Sequence, residues 1–360
     1  MFSSKEIIGA KLEMSNIVNA INRKLATEWS YCTSKYKLPP VYISLIITYE
    51  CNFRCQVCDL WKKKKIVEIS NKKWIKISRQ LIEILHRDSF IEINGGEPLL
   101  KKDLVLAIIR NLNCYFNKVS LNTNGSLLTA PVINELQSAG LDSIKISFYS
   151  LDEKIHNFLR GNPIAYKNAI NAIKLSDGYN VKTNVGVLIT SKNIKTIPKL
   201  INYLSQLKNT GVILQPLDEK LYSLAAGDMQ KNTLPQDLWP NKKEVEELFD
   251  WIFENIHRIN VINPPHHLKM IRSYYLNPKN ILSFRCFAGQ RSLIIYPDGK
   301  VSLCFKYPNI GDLKTQKIGE ILASKSVIQQ RKAIKECRKY CRVLGCNYSR
   351  GFFELLKNYN

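Results

Sequence analysis

Val41-Tyr-Ile-Ser-Leu-Ile-Ile-Thr48 is followed two residues later by Cys51-Asn-Phe-Arg-Cys55-Gln-Val-Cys58, and the reading of this 360-residue chain turns on that stretch. The first part is an apolar, β-branched run of strand length, which predicts a strand buried on both faces. The second part sets three thiols in a C-x3-C-x2-C loop directly after it. Soft thiolates so close together suit zinc or iron–sulfur chemistry. A structural zinc site takes four protein ligands, and no fourth Cys or His lies close in sequence. Three thiolates on a four-iron cube leave one iron without a protein ligand, where a small molecule can chelate and receive an electron.

Outward from this stretch, one unit repeats as far as Leu217: a short Ile-, Val- or Leu-rich run, a turn, then an amphipathic stretch. The predicted strands are Val41–Thr48, Phe90–Asn94, Lys118–Asn122, Ser143–Ser147, Val181–Ile189 and Val212–Gln215. The predicted helices between them are Trp74–His86, Leu104–Leu112, Pro131–Ala139, Tyr166–Leu175 and Ile197–Leu207, with apolar residues at helical spacing. Gly140 and Gly211 stand where helix C-caps are expected. Strands alternating with helices imply a parallel sheet with right-handed crossovers. Six units are two short of a closed eight-stranded barrel, so the expected fold is α/β, a partial TIM-like (β/α)6 barrel. Chemistry in such sheets gathers at the carboxyl ends of the strands. Cys51 follows strand one, Gly95-Gly96-Glu97-Pro98 strand two, and Asn122-Thr123-Asn124-Gly125 strand three.

The C-x3-C-x2-C loop, its place after strand one and the GGEP element together resemble the radical S-adenosylmethionine (SAM) superfamily. The resemblance implies a [4Fe–4S] cluster on Cys51, Cys55 and Cys58 with SAM on the open iron. It places Gly95, Gly96, Glu97 and Pro98 at the SAM amino group, with Asn124 nearby. Ser147 and Arg160, the latter within His156-Asn-Phe-Leu-Arg160-Gly161, match the family's carboxylate-binding positions, and an Arg fork suits a carboxylate. Ile213-Leu-Gln-Pro-Leu217 is similar to the strand-six segment that contacts adenine, which adds Leu217. The position before the third cysteine, usually aromatic in the family, is Val57; Trp61 is a candidate substitute. No catalytic acid or base is assigned.

Five further cysteines cluster late in the chain. Cys286 and Cys304 flank Pro297-Asp298-Gly299, a strong turn signal between two apolar runs, so they are expected at the open ends of a hairpin. Cys337, Cys341 and Cys346 follow. This segment resembles the SPASM and twitch domains of many radical SAM enzymes. The resemblance implies one auxiliary [4Fe–4S] cluster on four of these five thiols, with Cys286 and Cys304 first among them; a zinc knot is the alternative. The predicted organisation is an N-terminal helical extension (1–40), the partial barrel (41–220), a helical bridge (221–283) and a small cysteine-rich module (284–360). Ile8, Leu12, Ile21 and Leu25 are expected to line the face of the N-terminal helix that packs on the barrel. In the bridge, His266 and His267 follow Pro264-Pro265 in a predicted turn.

Apolar residues make up 45% of the chain, enough for a sizeable core. No run reaches the length of a membrane-spanning helix and the start lacks a signal-peptide core, so the expected location is cytoplasmic. Ten cysteines in such a chain read as metal or redox ligands rather than disulfides; Cys32 and Cys114 stand alone and read as ordinary thiols. The formal charge is +23, spread through a Lys-rich chain and densest locally at Lys62–Lys65.

The implied activity is reductive cleavage of SAM to a 5′-deoxyadenosyl radical that takes hydrogen from a substrate. Oxidation, cyclisation and epimerisation are the candidate outcomes. The charge leans towards a small anionic metabolite such as an amino sugar or a nucleotide; the alternative is a maturase of a ribosomally made peptide. A molybdenum-cofactor-type GTP cyclase is disfavoured because the family's terminal Gly-Gly is missing from the Lys357-Asn-Tyr-Asn360 end. A flavodoxin- or ferredoxin-type electron donor is implied, and a nucleic-acid partner is not expected. The rival from another class is a basic, non-catalytic metalloprotein that binds RNA, in which GGEP would have no purpose. Asp218 and Glu219 are the better-placed candidates for substrate contact.

Overall fold

The computed structural model describes residues 21–22, 24–33, 38–63, 66–218 and 236–341. The Ile- and Val-rich runs form strands where expected: β1 Tyr42–Ile46, β2 Phe90–Asn94, β3 Lys118–Thr123, β4 Ser143–Ser147, β5 Thr183–Leu188 and β6 Thr210–Gln215. Each pairs in parallel with the next, in the spatial order β6-β5-β4-β3-β2-β1. The sheet stays open, as a partial barrel should.

Preceding it, residues 24–33 form α1. Between the strands run α2 (Asn71–Ile84), α3 (Lys102–Asn113), α4 (Ala130–Ser138), α5 (Glu153–Arg160), α6 (Ala165–Gly178) and α7 (Ile197–Ser205). Trp74, Leu81, Ile108, Leu136, Ile173 and Leu200 press from these helices onto Ile91, Ile93, Val119, Ile144 and Val185, all nearly inaccessible. Each such side chain contributes about 1.5–3 kcal/mol by leaving water.

One face of the sheet departs from the expected apolar run. Ser44, Glu92, Asn94, Asn122 and Lys145 alternate with the core residues and join across strands. Asn94 Nδ2 donates to Ser44 Oγ (2.9 Å) and Glu92 Oε2 (3.1 Å), and Asn122 Nδ2 donates to Asn94 Oδ1 (3.0 Å). Lys145 Nζ lies 3.5 Å from Glu92 Oε1. The sheet thus has one dry face against helices and one polar face.

The late hairpin continues this sheet. After α8 (Lys242–Asn255), α9 (Pro265–Leu276) and the short α10 (Ala288–Arg291), β7 (Ser292–Ile295) lies parallel to β1, in the register Tyr42↔Ser292 to Leu45↔Ile295. β8 (Lys300–Ser302) folds back antiparallel, and β9 (Gly311–Asp312) completes the nine-stranded sheet. Gly299 takes φ +84° in the turn, a conformation that suits glycine. Helices α11 (Ile318–Ala323) and α12 (Lys325–Lys335) follow.

Three expectations are corrected. Gly140 does follow a helix, with φ +89°, but Gly211 lies inside β6 with Ile262 packed where its Cβ would be. The Pro-Pro pair before His266 and His267 opens α9 instead of a turn, since proline is pre-set for the first helical position. This buries His267 beside Asn263 (Nδ1···Nδ2 3.2 Å). Ile8 and Leu12 lie outside the described residues, while Ile21 and Leu25 are 40% and 43% exposed. Helix α1 docks through the opposite side: Glu28 accepts both Arg285 Nη1 (2.6 Å) and Nη2 (3.0 Å), with that guanidinium over the adjoining rings of Tyr31 and Phe287.

Candidate functional site

The three early cysteines occupy a loop stitched to the ends of β2 and β3. Gly96 N donates to Thr48 O (2.9 Å) and Glu97 N to Glu50 O (2.8 Å). A Cβ on Gly96 would lie 2.0 Å from Glu50 O and 2.9 Å from Cys51 Cβ, so only glycine permits this approach. The Glu97 carboxylate is fully buried and turns inward. It accepts Leu99 N (3.1 Å) and Thr123 Oγ1 (2.8 Å) on Oε1, and Asn124 N (2.8 Å) on Oε2. Asn124 Nδ2 in turn donates to Asn52 Oδ1 (2.8 Å), inside the cysteine loop.

Helix α5 supports the loop from the other side. Gln56 N donates to Leu159 O (3.1 Å), and Gly161, at φ +58°, caps α5 directly against the Arg54 backbone. Arg160 is buried with its guanidinium beside the rings of Phe53 and Tyr149 (5.6 and 5.2 Å to the centroids). Its Nη1 donates to Tyr149 Oη (3.0 Å), which is also hydrogen-bonded to the Ser147 side chain. His156 Nδ1 accepts Tyr149 N (3.1 Å). Burial, and then the Arg160 charge, lower the His156 pKa to about 3, so this imidazole is a neutral brace.

Burial raises Cys51 to about 11 and Cys58 to about 12. Neighbouring thiolates add to that rise, while backbone N–H groups and Arg160 oppose it. Burial by itself lowers Arg160, but the nearby Cys55, Tyr149 and Cys51 outweigh it and hold the cation firmly protonated. Three thiols therefore sense one another and one buried guanidinium, whose Nε has no hydrogen-bond partner among the described residues. Such a nitrogen, sealed from water, calls for an anionic acceptor. Three mutually sensed thiols, a buried guanidinium and a glycine cradle fit a cluster with a carboxylate-bearing partner.

Of the sequence candidates, Gly96, Glu97, Asn124 and Arg160 meet the cysteine loop, Gly95 and Pro98 flank that pair in the chain, and Ser147 is linked to Arg160 through Tyr149. Leu217 lies two residues beyond β6, with its N donating to Tyr275 Oη (2.6 Å) and its O accepting from Tyr274 Oη (2.7 Å). Trp61 donates Nε1 to Cys58 O (2.8 Å) and lines a pocket of about 280 Å³ with Glu50, Cys51, Asn52 and Leu100. Tyr149 escaped the sequence reading. It lies just past β4, at the carboxyl end of a strand, where chemistry gathers in such sheets.

A second set of thiols gathers at the hairpin. Cys286 and Cys304 are buried, and the Cys341 thiol is raised by burial, then by Asp218, Cys304 and Cys286. Tyr307 is hydrogen-bonded to Cys337 and raised by burial and by Cys337, Cys304 and Cys286. Four thiols thus share one neighbourhood. Backbone N–H groups of Lys306 and Lys339 point at the sulfurs of Cys304 and Cys337 (3.4 Å each). Cys346 lies outside the described residues, as do Glu219, Lys64 and Lys65. Asp218 is buried in an ion pair with Lys306 (3.1 Å).

A family model described as "Radical SAM superfamily" matches residues 45–204, and one described as "Iron-sulfur cluster-binding domain", the SPASM model, matches residues 286–347. The chain belongs to the radical SAM superfamily. It carries a radical SAM domain and a C-terminal SPASM domain, and the two matches support a [4Fe–4S] cluster with SAM and an auxiliary cluster.

Solved radical SAM structures share the fold. "Native anSMEcpe with bound AdoMet" superposes with a TM-score of 0.62 at 17% identity, over 89% of this chain and 96% of that one. SuiB of Streptococcus suis does so with a TM-score of 0.63 at 16% identity, over 99% and 85%. A Methanopyrus kandleri protein named "Probable GTP 3',8-cyclase" is 34% identical over 179 residues, 49% of this chain and 56% of that protein. The radical SAM chain therefore spans little more than half the length of that curated relative. None of its described helices is long and apolar enough to cross a membrane.

Proposed function

We propose that Cys51, Cys55 and Cys58 hold the catalytic cluster, that Arg160 and Ser147 receive the SAM carboxylate, and that the enzyme abstracts hydrogen from a small anionic metabolite. The observation that carries this reading is the buried, incompletely bonded Arg160 guanidinium facing the three thiols. When bound, the cluster and SAM supply a 5′-deoxyadenosyl radical by one-electron cleavage of the sulfonium.

The chain's own residues do the positioning. Phe53, Tyr149 and the His156 brace fix the Arg160 fork, so a carboxylate meets an oriented bidentate donor. Gly95 and Gly96 leave backbone carbonyls open to the amino group, while Glu97 holds that segment to β3. Ile46, Tyr49 and Leu60, against which Cys58 packs, exclude water on that side of the thiols. Cys286, Cys304, Cys337 and Cys341 hold the auxiliary cluster; four thiolates close its coordination, which suits an electron carrier and an oxidative outcome. The net charge of +23 and the GTP named for the Methanopyrus relative support an anionic substrate of the nucleotide class. A flavodoxin- or ferredoxin-type protein is the proposed donor.

Anaerobic reconstitution tests the reading. The protein should bind about eight irons per chain, two four-iron clusters, and release 5′-deoxyadenosine from SAM under a strong reductant. Replacing Cys51, Cys55 and Cys58 by alanine should abolish that release and leave about four irons. A colourless protein that leaves SAM intact would sink it. Nucleotide and sugar phosphates are then scored for stimulated turnover against a panel of peptides.

A further inference from the structure

Lys306 and Asp218 form an ion pair whose side chains are only 4% and 3% exposed. Taking two charges out of water costs several kcal/mol per ion, so such a pair is poorly explained by stability alone. Its position is informative. Lys306 stands two residues after Cys304, and its N–H points at that sulfur. Asp218 stands three residues after β6, on a segment clamped by two tyrosines of α9 through Leu217. A cation from the cysteine-rich module and an anion from the barrel mouth therefore meet, out of water, on the segment that carries the Cys304 sulfur.

A four-iron cluster held by four thiolates is already anionic, and reduction adds one more negative charge. Charge and hydrogen bonds around the sulfurs set the reduction potential of such clusters. In a site this dry a fixed charge is weakly screened. We propose that the Lys306–Asp218 pair sets the reduction potential of the auxiliary cluster, Lys306 raising it and Asp218 lowering it. Because the two residues come from different parts of the chain, that potential belongs to the assembled site and not to the terminal module alone. This inference rests on the auxiliary cluster of the proposed function.

The experiment is an EPR-monitored redox titration of the anaerobically reconstituted full-length protein; the signal that added SAM leaves unchanged reports the auxiliary cluster. Lys306→Met should make reduction about tenfold less favourable, a shift of about 59 mV to more negative potential for one electron. Asp218→Asn should move it the opposite way, the double variant should return towards wild type, and Lys306→Arg should keep the wild-type value. Equal or same-direction shifts in the two single variants, at full iron content, overturn the inference and leave the functional reading intact. If no variant of the pair retains the cluster, the pair is structural and the inference is likewise overturned. About four irons in the wild-type protein would instead remove the auxiliary cluster itself, and the premise with it.

Discussion

The carbonyl oxygen of Arg54 occupies the space beside Gly161 so fully that a Cβ on that glycine would lie 1.9 Å away. Gly161 also takes φ +58°, where a side chain adds strain. The cysteine loop is thereby seated on the end of the helix that delivers Arg160. Gly161→Ala should displace that seat: iron at the amino-terminal site and 5′-deoxyadenosine release should both fall at least tenfold, with the auxiliary iron retained. Iron per chain and product yield measure this. Gly178→Ala is the control, because nothing lies within 4 Å of its Cβ position and it sits at a helix end.

Glu97 holds the GGEP segment to β3 by accepting from three donors while buried. Glu97→Gln turns one acceptor into an N–H2 group facing a backbone N–H or the Thr123 hydroxyl. A mismatch of that kind costs roughly 1–3 kcal/mol. The denaturant midpoint of the apoprotein should drop accordingly, and SAM affinity should weaken several-fold as the glycine segment loosens. Unchanged stability would show that the carboxylate is not the tie it appears on geometry.

The sheet was legible because each β-strand and its helix are local in sequence and strongly periodic. Cys51–Cys58 and Gly95–Pro98 were legible because each is a short motif at a strand end. What escaped depends on distant partners. The pairing of β7 with β1 joins residues about 250 apart in sequence, and no periodicity encodes it. The docking of α1 depends on Glu28 meeting Arg285, a polar anchor on a helix whose apolar residues Ile21 and Leu25 point to the obvious but wrong face. Gly211 read as a cap because the packing of Ile262 against it comes from a later segment. Tyr149 was overlooked because an aromatic after a strand reads as core until Arg160 is folded against it.

Tyr149 gives the next prediction. Its hydroxyl accepts from Arg160 Nη1 and is hydrogen-bonded to the Ser147 side chain. Tyr149→Phe keeps the ring under the guanidinium and removes only the acceptor. SAM affinity should fall about tenfold or more, roughly the 1.5–3 kcal/mol of a hydrogen bond to a charged group, while iron content stays at the wild-type level. Calorimetric titration with SAM measures the first and metal analysis the second. A loss of iron would mean that Tyr149 supports the loop itself.

His156 makes folding acid-sensitive in a definite window. Its folded pKa is about 3, lowered by burial and then by Arg160, against 6.5 in the unfolded chain. Between those values the unfolded state binds a proton that the folded state refuses. Stability is therefore complete above about pH 6.5 and declines as pH falls towards 3, at roughly 1.4 kcal/mol per pH unit. Urea unfolding of the apoprotein from pH 7 to pH 4 should show that slope. His156→Asn should be less stable at pH 7, because the Tyr149 N–H loses a well-placed acceptor, yet its decline with acid should be shallower by about one proton's worth. An acid slope equal in the two proteins would mean that the imidazole is protonated in the folded state, and the brace between Tyr149 and Arg160 would then have to be redrawn with a charged ring.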